Sequence, residues 1–188
     1  MSLKIDGNGQ AKILTDSELM QLFIYSPQPY KTVFAVCLYT GCRVSEALAL
    51  KKKYITPDII IFPKGITKGQ TTTRTVNITT ELKLFLDVYK PNRDSVYLFP
   101  GKRGVSDTLN RTTAHKALNQ VCSQVGIIGA STHSFRRTAL TKMHNRGVPL
   151  SHIQAISGHA SLNELQKYLG VTPEDKQNAV LQLSFLGS

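Results

Sequence analysis

The sequence lacks most of the features that mark disulfide-stabilised, zinc-binding or membrane-spanning proteins. It has three cysteines, Cys37, Cys42 and Cys122, which form no Cys-x-x-Cys pair and leave one unpaired in any disulfide scheme. This usage favours a reducing compartment and argues against a zinc site. No apolar run approaches the roughly 18 residues of a membrane span, and the N-terminus shows no signal-peptide pattern. We therefore expect a cytoplasmic protein with no membrane partner.

Acidic residues are also scarce. The 188 residues contain 12 Asp and Glu against 23 Lys and Arg, a formal net charge of +11. Such an excess says little about the fold but favours a polyanionic partner, with nucleic acid as the first candidate. The alternative is an ordinary protein with a solvated basic face. The length suits one domain, and a hydrophobic share of 41% is enough for a core.

The apolar spacing predicts a mainly α fold with a small antiparallel β-sheet, of the α+β class. Ile59–Phe62 is a β-rich run and Arg74–Ile78 alternates with period two, so the two form a hairpin around a polar, lysine-containing turn. Caps and breakers delimit the helices. Helices are predicted from Thr15 to before Pro27, over 31–39, over 45–50, from Thr79 to before Pro91, over 111–124, over 133–145, from Pro149 to near Gly158, from Ser161 through Leu169, and after Thr172-Pro173.

Two arginine-containing clusters could bind phosphate. Arg43 follows the break at Gly41, where its fork of donors can reach outward, and Glu46 one turn later could hold it in place. The alternative is an i,i+3 ion pair on a helix surface. His133 and Arg136 share one face near a helix N-terminus, where the two side chains could bind an anion. The alternative is a histidine that caps the helix beside an arginine on the surface. Arg137 lies about 100° further round that helix and should point elsewhere.

Two further candidates are weak when each is taken alone. Gly158-His159 closes one helix just before another begins, and a histidine in a turn is usually structural. Tyr168 lies three residues after Leu165 and beside Leu169, the pattern of a core tyrosine with its hydroxyl at the edge. Nothing around Tyr168 by itself indicates a nucleophile.

The order of these clusters is far more specific than any one of them. Arg43, His133-x-x-Arg136, Gly158-His159 and Tyr168 follow one another, with a lysine-containing hairpin between the first two. This arrangement resembles the catalytic domain of the tyrosine recombinase family, also called the phage integrase family. Supporting matches are Thr40–Glu46, Leu98-Phe99-Pro100, Gly147-Val148-Pro149 and Ile153-Gln154. The resemblance covers about residues 12–175 and implies the catalytic-domain fold of that family.

The resemblance implies roles for the matched residues. Arg43 and Arg136 would clamp the scissile phosphate, His133 and His159 would complete the pocket, and Tyr168 would be the attacking hydroxyl.

The hairpin lysine of the family best matches Lys68 in Thr67-Lys68-Gly69, and Lys64 is the competing candidate. Lys64, Arg74 and Arg137 are further expected to contact DNA. One departure from the family pattern is Arg137, because a histidine often follows the second clamp arginine. The other is Leu169, because a threonine or valine often follows the tyrosine.

The chemistry explains why these residue types are needed. A phosphodiester is anionic and its alkoxide is a poor leaving group, so two arginines stabilise the more highly charged transition state. A free tyrosine has a pKa of about 10 and needs a base, and lysine suits protonation of the leaving oxygen. The resemblance implies a 3′-phosphotyrosyl intermediate with a free 5′ hydroxyl, whose bond conserves the energy for religation. We therefore expect no cofactor: no nucleotide and no metal, since paired carboxylates for a two-metal site are missing.

The predicted organisation is an N-terminal extension (1–14), a catalytic domain (15–175) and a C-terminal tail (176–188). The tail residues Val180, Leu181, Leu183, Phe185 and Leu186 are too apolar to stay in water. In the family a C-terminal helix packs into a neighbouring subunit, so we expect self-association into dimers and tetramers on double-stranded DNA. The alternative is that the tail docks on its own domain.

The resemblance implies a site-specific DNA recombinase or integrase of the kind found in mobile elements, acting in the cytoplasm of a bacterial, phage or plasmid host cell. With about 15 residues before the first predicted helix, we expect either an excised catalytic domain or a short recombinase. A non-catalytic DNA-binding module is the alternative from another class, because Val148–Leu169 could form a helix-turn-helix. A type IB topoisomerase would share the chemistry but relax single duplexes.

Overall fold

The computed structural model describes residues 9–66, 73–101, 107–166, 168–169 and 180–181. In these ranges the chain is mostly helical with one two-stranded antiparallel sheet, which confirms the predicted fold class. None of the helices in these ranges is both long and apolar enough to cross a membrane. The elements are α1 (Asp16–Tyr25), α2 (Tyr30–Thr40), α3 (Val44–Leu48), β1 (Ile59–Phe62), β2 (Arg74–Asn77), α4 (Thr80–Val88), α5 (Arg111–Val125), α6 (Thr132–Asn145), α7 (Leu150–Ser157) and α8 (Leu162–Gln166).

Local sequence signals set the ends of these helices. The Thr15 side chain accepts a hydrogen bond from the Glu18 N–H, and the Glu18 side chain accepts one from the Thr15 N–H, so the predicted capping box starts α1. Gly41 and Gly158 end α2 and α7 in the left-handed conformation, with φ of 62° and 69°. A residue with a Cβ is strained in that conformation, so glycine is the residue that lets the chain change direction at these two helix ends.

The end of α8 differs from the prediction. The apolar spacing predicts a helix through Leu169, but α8 ends at Gln166. The Tyr168 N–H donates to the Leu165 carbonyl, three residues earlier, at 2.9 Å. This tighter bond is typical of a last helical turn, and it places Tyr168 in a turn instead of on the regular helix. The predicted helix after Thr172-Pro173 lies outside the described residues.

The hairpin brings one charged side chain to its inner face. Ile60 pairs with Val76 and Phe62 with Arg74, and all four side chains are buried. The outward residues of β2, among them Thr75, are exposed. The strands agree with the predicted runs except that β2 ends at Asn77. Lys68 and most of the turn between the strands lie outside the described residues.

Two clusters of buried side chains form the core. The larger one is centred on α2 and α6, where the rings of Phe34 and Phe135 stack with centroids 4.8 Å apart. The smaller one lies under α7 and α8 and joins Leu140 of α6 to Leu165 and Leu169. Packing against this second cluster holds the turn that carries Tyr168 next to α6.

The segment before α1 belongs to the folded unit. The Leu14 side chain is only 2% exposed, and its N–H donates to Thr138 Oγ1 of α6 at 2.8 Å. The Lys12 N–H donates to the Gly129 carbonyl. Leu14, the last residue of the extension predicted over 1–14, is therefore part of the core, because its apolar side chain is buried.

Two neighbouring threonines of α6 should respond differently to substitution by valine. Thr138→Val removes the acceptor of the buried Leu14 N–H, and we expect the free energy of unfolding to fall by about 1–3 kcal/mol. Thr141 Oγ1 is buried with no hydrogen-bond partner among the described residues, so Thr141→Val should be neutral or stabilising. Urea unfolding of the two variants measures the difference, and equal losses would contradict the account.

Candidate active site

The guanidinium of Arg136 lies at the centre of the site and joins three elements. Arg136 is on α6 and has no exposed surface. Its Nη1 donates to the carbonyl of Gly41 at 2.8 Å and to that of Ser157 at 2.9 Å, the ends of α2 and α7. Its Nη2 lies 2.9 Å from Nε2 of His159. Burial and the nearby Arg43 lower the pKa of Arg136 to about 10, so the group is still cationic at neutral pH.

His159 is held as a neutral imidazole. It is 5% exposed, and burial together with Arg136 and Arg43 lowers its pKa to about 3. Arg136 Nη2 lies 2.9 Å from Nε2 and 3.1 Å from Nδ1 of this ring. Because arginine only donates, we assign the nearer nitrogen, Nε2, as the acceptor and place the ring proton on Nδ1, which lies 2.8 Å from Ser157 Oγ. Gln154 donates to the His159 carbonyl at 3.0 Å. Ser157 and Gln154 are partners whose roles sequence reasoning missed, although Gln154 belongs to the matched pair Ile153-Gln154 and Ser157 directly precedes Gly158-His159.

Glu46 holds Arg43 as expected, but from a buried position. Glu46 is 1% exposed and its Oε1 accepts from Arg43 Nη1 at 3.2 Å, while Oε2 accepts from the Arg43 N–H at 3.0 Å. Burial alone would raise the pKa of Glu46, but attraction by Arg74 and the bond from the Arg43 backbone outweigh it and lower the pKa. The Arg43 side chain keeps 31% exposure. The ion pair is therefore not an ordinary surface pair, and it holds a guanidinium that solvent can still reach.

Arg74 differs from the expectation that it faces DNA. It is 8% exposed, Nη2 donates to Glu46 Oε2 at 2.7 Å, and Nε donates to the Ile156 carbonyl at 2.9 Å. The guanidinium carbon lies 4.2 Å from the centre of the Phe62 ring. The physical reason is its place on the inner face of β2, two residues before the buried Val76. Residues two apart in a strand face the same side of the sheet. The spacing of Arg74 from the apolar Val76 was therefore the sequence signal for a buried arginine.

Tyr168 lies beside the arginine centre. Its ring centroid is 4.9 Å from that of His159 and 5.7 Å from the guanidinium carbon of Arg136. His133, exposed at the start of α6, lines a cavity of about 320 Å³ together with Tyr168 and Arg137. The structure therefore brings the matched residues of α6, of the turn after α7 and of the turn after α8 to one place.

Arg137 points away from the Arg136 contacts, as its position on the helix predicts, but it does not reach outward. It is 8% exposed, its Nε donates to the Tyr168 carbonyl at 3.3 Å, and its Nη1 donates to the Ala11 carbonyl. The expected DNA contact is not accessible in this arrangement, because the segment before α1 covers the side chain. Arg137 instead fixes the backbone of Tyr168.

The two lysine candidates are not distinguished. Lys64 is exposed in a short 3₁₀ turn, Lys64–Ile66, directly after β1. Lys68 lies outside the described residues.

The cluster has a positive charge excess that suits an anion. Arg43 and Arg74 pair with the carboxylate of Glu46, Arg136 lies near enough to attract it, and no second carboxylate pairs with these arginines among the described residues, while His159 is neutral. Nε of Arg136 is buried without a hydrogen-bond partner among the residues that the structure describes. Since the Arg136 guanidinium has no exposed surface and its Nη2 lies against the His159 ring, a phosphate that bonds to Nη2 has to displace that ring.

This chain is similar to known proteins over most of its length. The model of the phage integrase family matches residues 12–175. Tyrosine recombinase XerA of Pyrococcus furiosus is 30% identical over 187 residues, covering 93% of this chain and 63% of that protein. A XerC-like tyrosine recombinase of Caldanaerobacter subterraneus is 28% identical over 193 residues, covering 83% of this chain and 49% of that protein. The chain thus spans about half to two thirds of the length of these relatives.

Several solved structures are similar over almost the whole chain. The Tn1549 transposon integrase in complex with a circular intermediate DNA superposes with a TM-score of 0.77 at 16% identity, over 95% of this chain and 68% of that one. At that level of identity the similarity concerns the fold, which agrees with the catalytic-domain fold expected from the sequence.

His159 should make stability depend on pH between pH 7 and 5.5. An unfolded histidine, with a pKa of about 6.5, takes up a proton in this range, whereas His159 with a pKa of about 3 stays neutral when folded. The unfolded state then binds more protons, so the free energy of unfolding falls as the pH falls, by about 1 kcal/mol over this window. Urea unfolding at the two pH values measures it.

The control for this measurement is a histidine on the surface. His159→Gln should lose about that much of the pH dependence, whereas His152→Gln, at an exposed position of α7, should keep it. An unchanged pH dependence in His159→Gln would show that His159 is not buried as a neutral ring.

Proposed function

The chain belongs to the phage integrase family, and from this premise we propose that it is the catalytic part of a site-specific DNA recombinase that cleaves and rejoins DNA through Tyr168. The observation that carries the proposal is the position of the Tyr168 ring beside His159 and Arg136, within a cluster whose charge excess is positive. Arg43 and Arg136 are proposed as the phosphate clamp, with Glu46 holding Arg43.

The first step is binding of the scissile phosphate. Arg43, which solvent reaches, meets the phosphate first. The anion then competes with the His159 ring for Nη2 of Arg136, because a charged oxygen is a stronger acceptor than a neutral imidazole. The displaced ring nitrogen can then bond to the phosphate or to the tyrosine hydroxyl. The two guanidinium groups stabilise the additional charge of the pentavalent transition state.

The second step is transfer of the phosphoryl group to the protein. The bond from Tyr168 Oη to phosphorus forms while the bond from phosphorus to the 5′ oxygen breaks. The bound phosphate offsets the arginine charge that lowers the pKa of His159. His159 beside the ring, or His133 across the shared cavity, then accepts the phenol proton. The hairpin lysine, Lys68 or Lys64, protonates the departing 5′ oxygen.

The product is a 3′-phosphotyrosyl bond, and religation is the reverse reaction with the 5′ hydroxyl of a partner strand. Since the phosphate ester bond is conserved, no nucleotide is needed, and the arginines supply the positive charge that a metal ion would otherwise bring.

The partner is proposed to be double-stranded DNA, bound by dimers and tetramers of the protein in the cytoplasm of the host cell. The three cysteines are buried and unbridged, as suits that compartment. Val180 and Leu181, the described residues of the tail, are 66% and 63% exposed. Two adjacent exposed aliphatic side chains favour docking of residues 176–188 on a second copy, with the protomer's own domain as the alternative. A catalytic domain over 15–175, with residues 11–14 packed on it, remains the proposed organisation.

Tyr168→Phe should abolish formation of a covalent adduct with DNA. The assay uses a nicked suicide duplex carrying the recombination site, on which the cleaved strand is lost and the protein stays attached. The variant retains the ring and its packing but has no oxygen to form the ester bond. Tyr25→Phe, at a half-exposed tyrosine of α1, is the matched control and should form the adduct at the normal rate.

Each outcome of this assay separates the proposed activity from its alternatives. DNA that shifts but never becomes covalently bound, with the wild-type chain, indicates a non-catalytic binding module. A Tyr168-dependent adduct together with relaxation of single supercoiled duplexes, and without exchange between two duplexes, indicates a type IB topoisomerase.

Deleting residues 179–188 should impair strand exchange between two duplexes more than it impairs the first cleavage. The physical reason is that cleavage needs one active site, whereas exchange needs protomers that stay assembled. The double variant Val180→Ser/Leu181→Ser should act in the same direction with the chain length unchanged. Equal losses in cleavage and exchange would mean that the tail stabilises its own domain.

A further inference from the structure

We propose that Arg74 is a positioning residue for the phosphate pocket: through Glu46 it sets the direction of Arg43, and through the Ile156 carbonyl it fixes the turn that carries His159. The inference rests on the proposed function, because the group that it positions is the proposed phosphate clamp. It replaces the expectation that Arg74 contacts DNA directly.

Arg74 connects three segments that are distant in sequence. It lies on β2, its Nη2 bonds to Glu46 of α3 at 2.7 Å, and its Nε bonds to the carbonyl of Ile156 in α7 at 2.9 Å. Glu46 is 28 residues from Arg74 and Ile156 is 82 residues from it. With the Phe62 ring under its guanidinium, the side chain has little freedom to rotate.

The contact with Glu46 determines how Glu46 holds Arg43. Oε2 of Glu46 accepts from both Arg74 and the Arg43 N–H, which leaves Oε1 for the Arg43 guanidinium at 3.2 Å. Without Arg74, a nearly buried carboxylate would have Arg43 as its one ion-pair partner in the described residues. The attraction would then draw the Arg43 guanidinium towards Glu46 and away from a phosphate.

The contact with Ile156 acts on the other side of the pocket. The carbonyl of Ser157, the next residue, accepts from Arg136, and the Ser157 hydroxyl lies 2.8 Å from Nδ1 of His159. Arg74 therefore fixes the end of α7 immediately before the residues that contact the Arg136 centre. One side chain aligns both halves of the clamp.

Stability alone does not account for an arginine at this position. Nη1 of Arg74 is buried without a partner among the residues that the structure describes, a cost that an apolar side chain would avoid. A buried ion pair is often no more stabilising than well-packed apolar residues of similar volume. A lysine would keep the charge, but one ammonium group does not reproduce the two donors that the planar fork directs at Ile156 and Glu46.

The experiment compares two suicide duplexes under single-turnover conditions, one with the normal scissile phosphodiester and one with a neutral methylphosphonate at that position. A misdirected clamp should slow cleavage of the charged substrate, by about 100-fold for a displacement near 1 Å. The neutral group depends less on the guanidinium charge, so its cleavage should fall less than tenfold. We expect this difference between substrates for Arg74→Met and, because the two-point contact is lost, for Arg74→Lys.

Val76→Ala is the matched control, because Val76 is buried on the same face of β2 but its aliphatic side chain has no donor that could bond to Glu46. It should reduce stability and slow both substrates by the same factor. The double variant Arg74→Met/Glu46→Gln should be less impaired than the product of the two single effects, because both act on Arg43.

The results that would overturn the proposal are specific. If Arg74→Met slows both substrates equally, as Val76→Ala does, Arg74 only stabilises the fold. If Arg74→Lys cleaves the phosphodiester at the wild-type rate, the charge matters and the two-point geometry does not. Failure of the wild-type chain to form an adduct with either duplex would instead refute the proposed function and the inference with it.

Discussion

The arrangement of this site depends on one buried guanidinium. Arg136 donates to the carbonyls of Gly41 and Ser157 and lies against His159, so the ends of α2 and α7 are held at a single point on α6. Gly41 takes a φ of 62°, which directs its carbonyl to that point, and a Cβ there would approach Leu140 at 3.3 Å. The segments that carry Arg43, His159 and Arg136 therefore meet because a single cation satisfies the carbonyls of two helix ends.

The electrostatic design follows from this centre. Placing several arginines in a partly dry cluster is unfavourable unless each has acceptors. Glu46 offsets two of them, two backbone carbonyls accept from Nη1 of the third, and His159 stays neutral, which keeps the cluster from becoming more positive. The remaining positive excess stabilises an anion brought to the exposed side of Arg43. The fold thus holds the arginines in place before a phosphate arrives to neutralise their charge.

Much of this molecule could be predicted from local sequence signals. Capping boxes, helix-ending glycines and a period-two run predicted the helices, the hairpin and the junctions where Arg43 and His159 lie. Burial of long cations could not be predicted in the same way, because a guanidinium finds its partners in tertiary structure. Arg74 and Arg137 were therefore expected on the surface, although the parity of Arg74 with Val76 indicated an inward side chain. Tyr168 was identified only because it follows Arg43, Arg136 and His159 in the order typical of the family.

The central claim is that Tyr168 attacks the scissile phosphate beside Arg136, and identification of the attached residue tests it most directly. Trypsin cleavage after Lys167 and Lys176 should release residues 168–176, a peptide in which Tyr168 is the only tyrosine. Mass spectrometry of the adduct, after nuclease trimming of the DNA, should find a 3′-linked nucleotide on Tyr168. A nucleotide on another residue, or a linkage through the 5′ phosphate, would contradict the account.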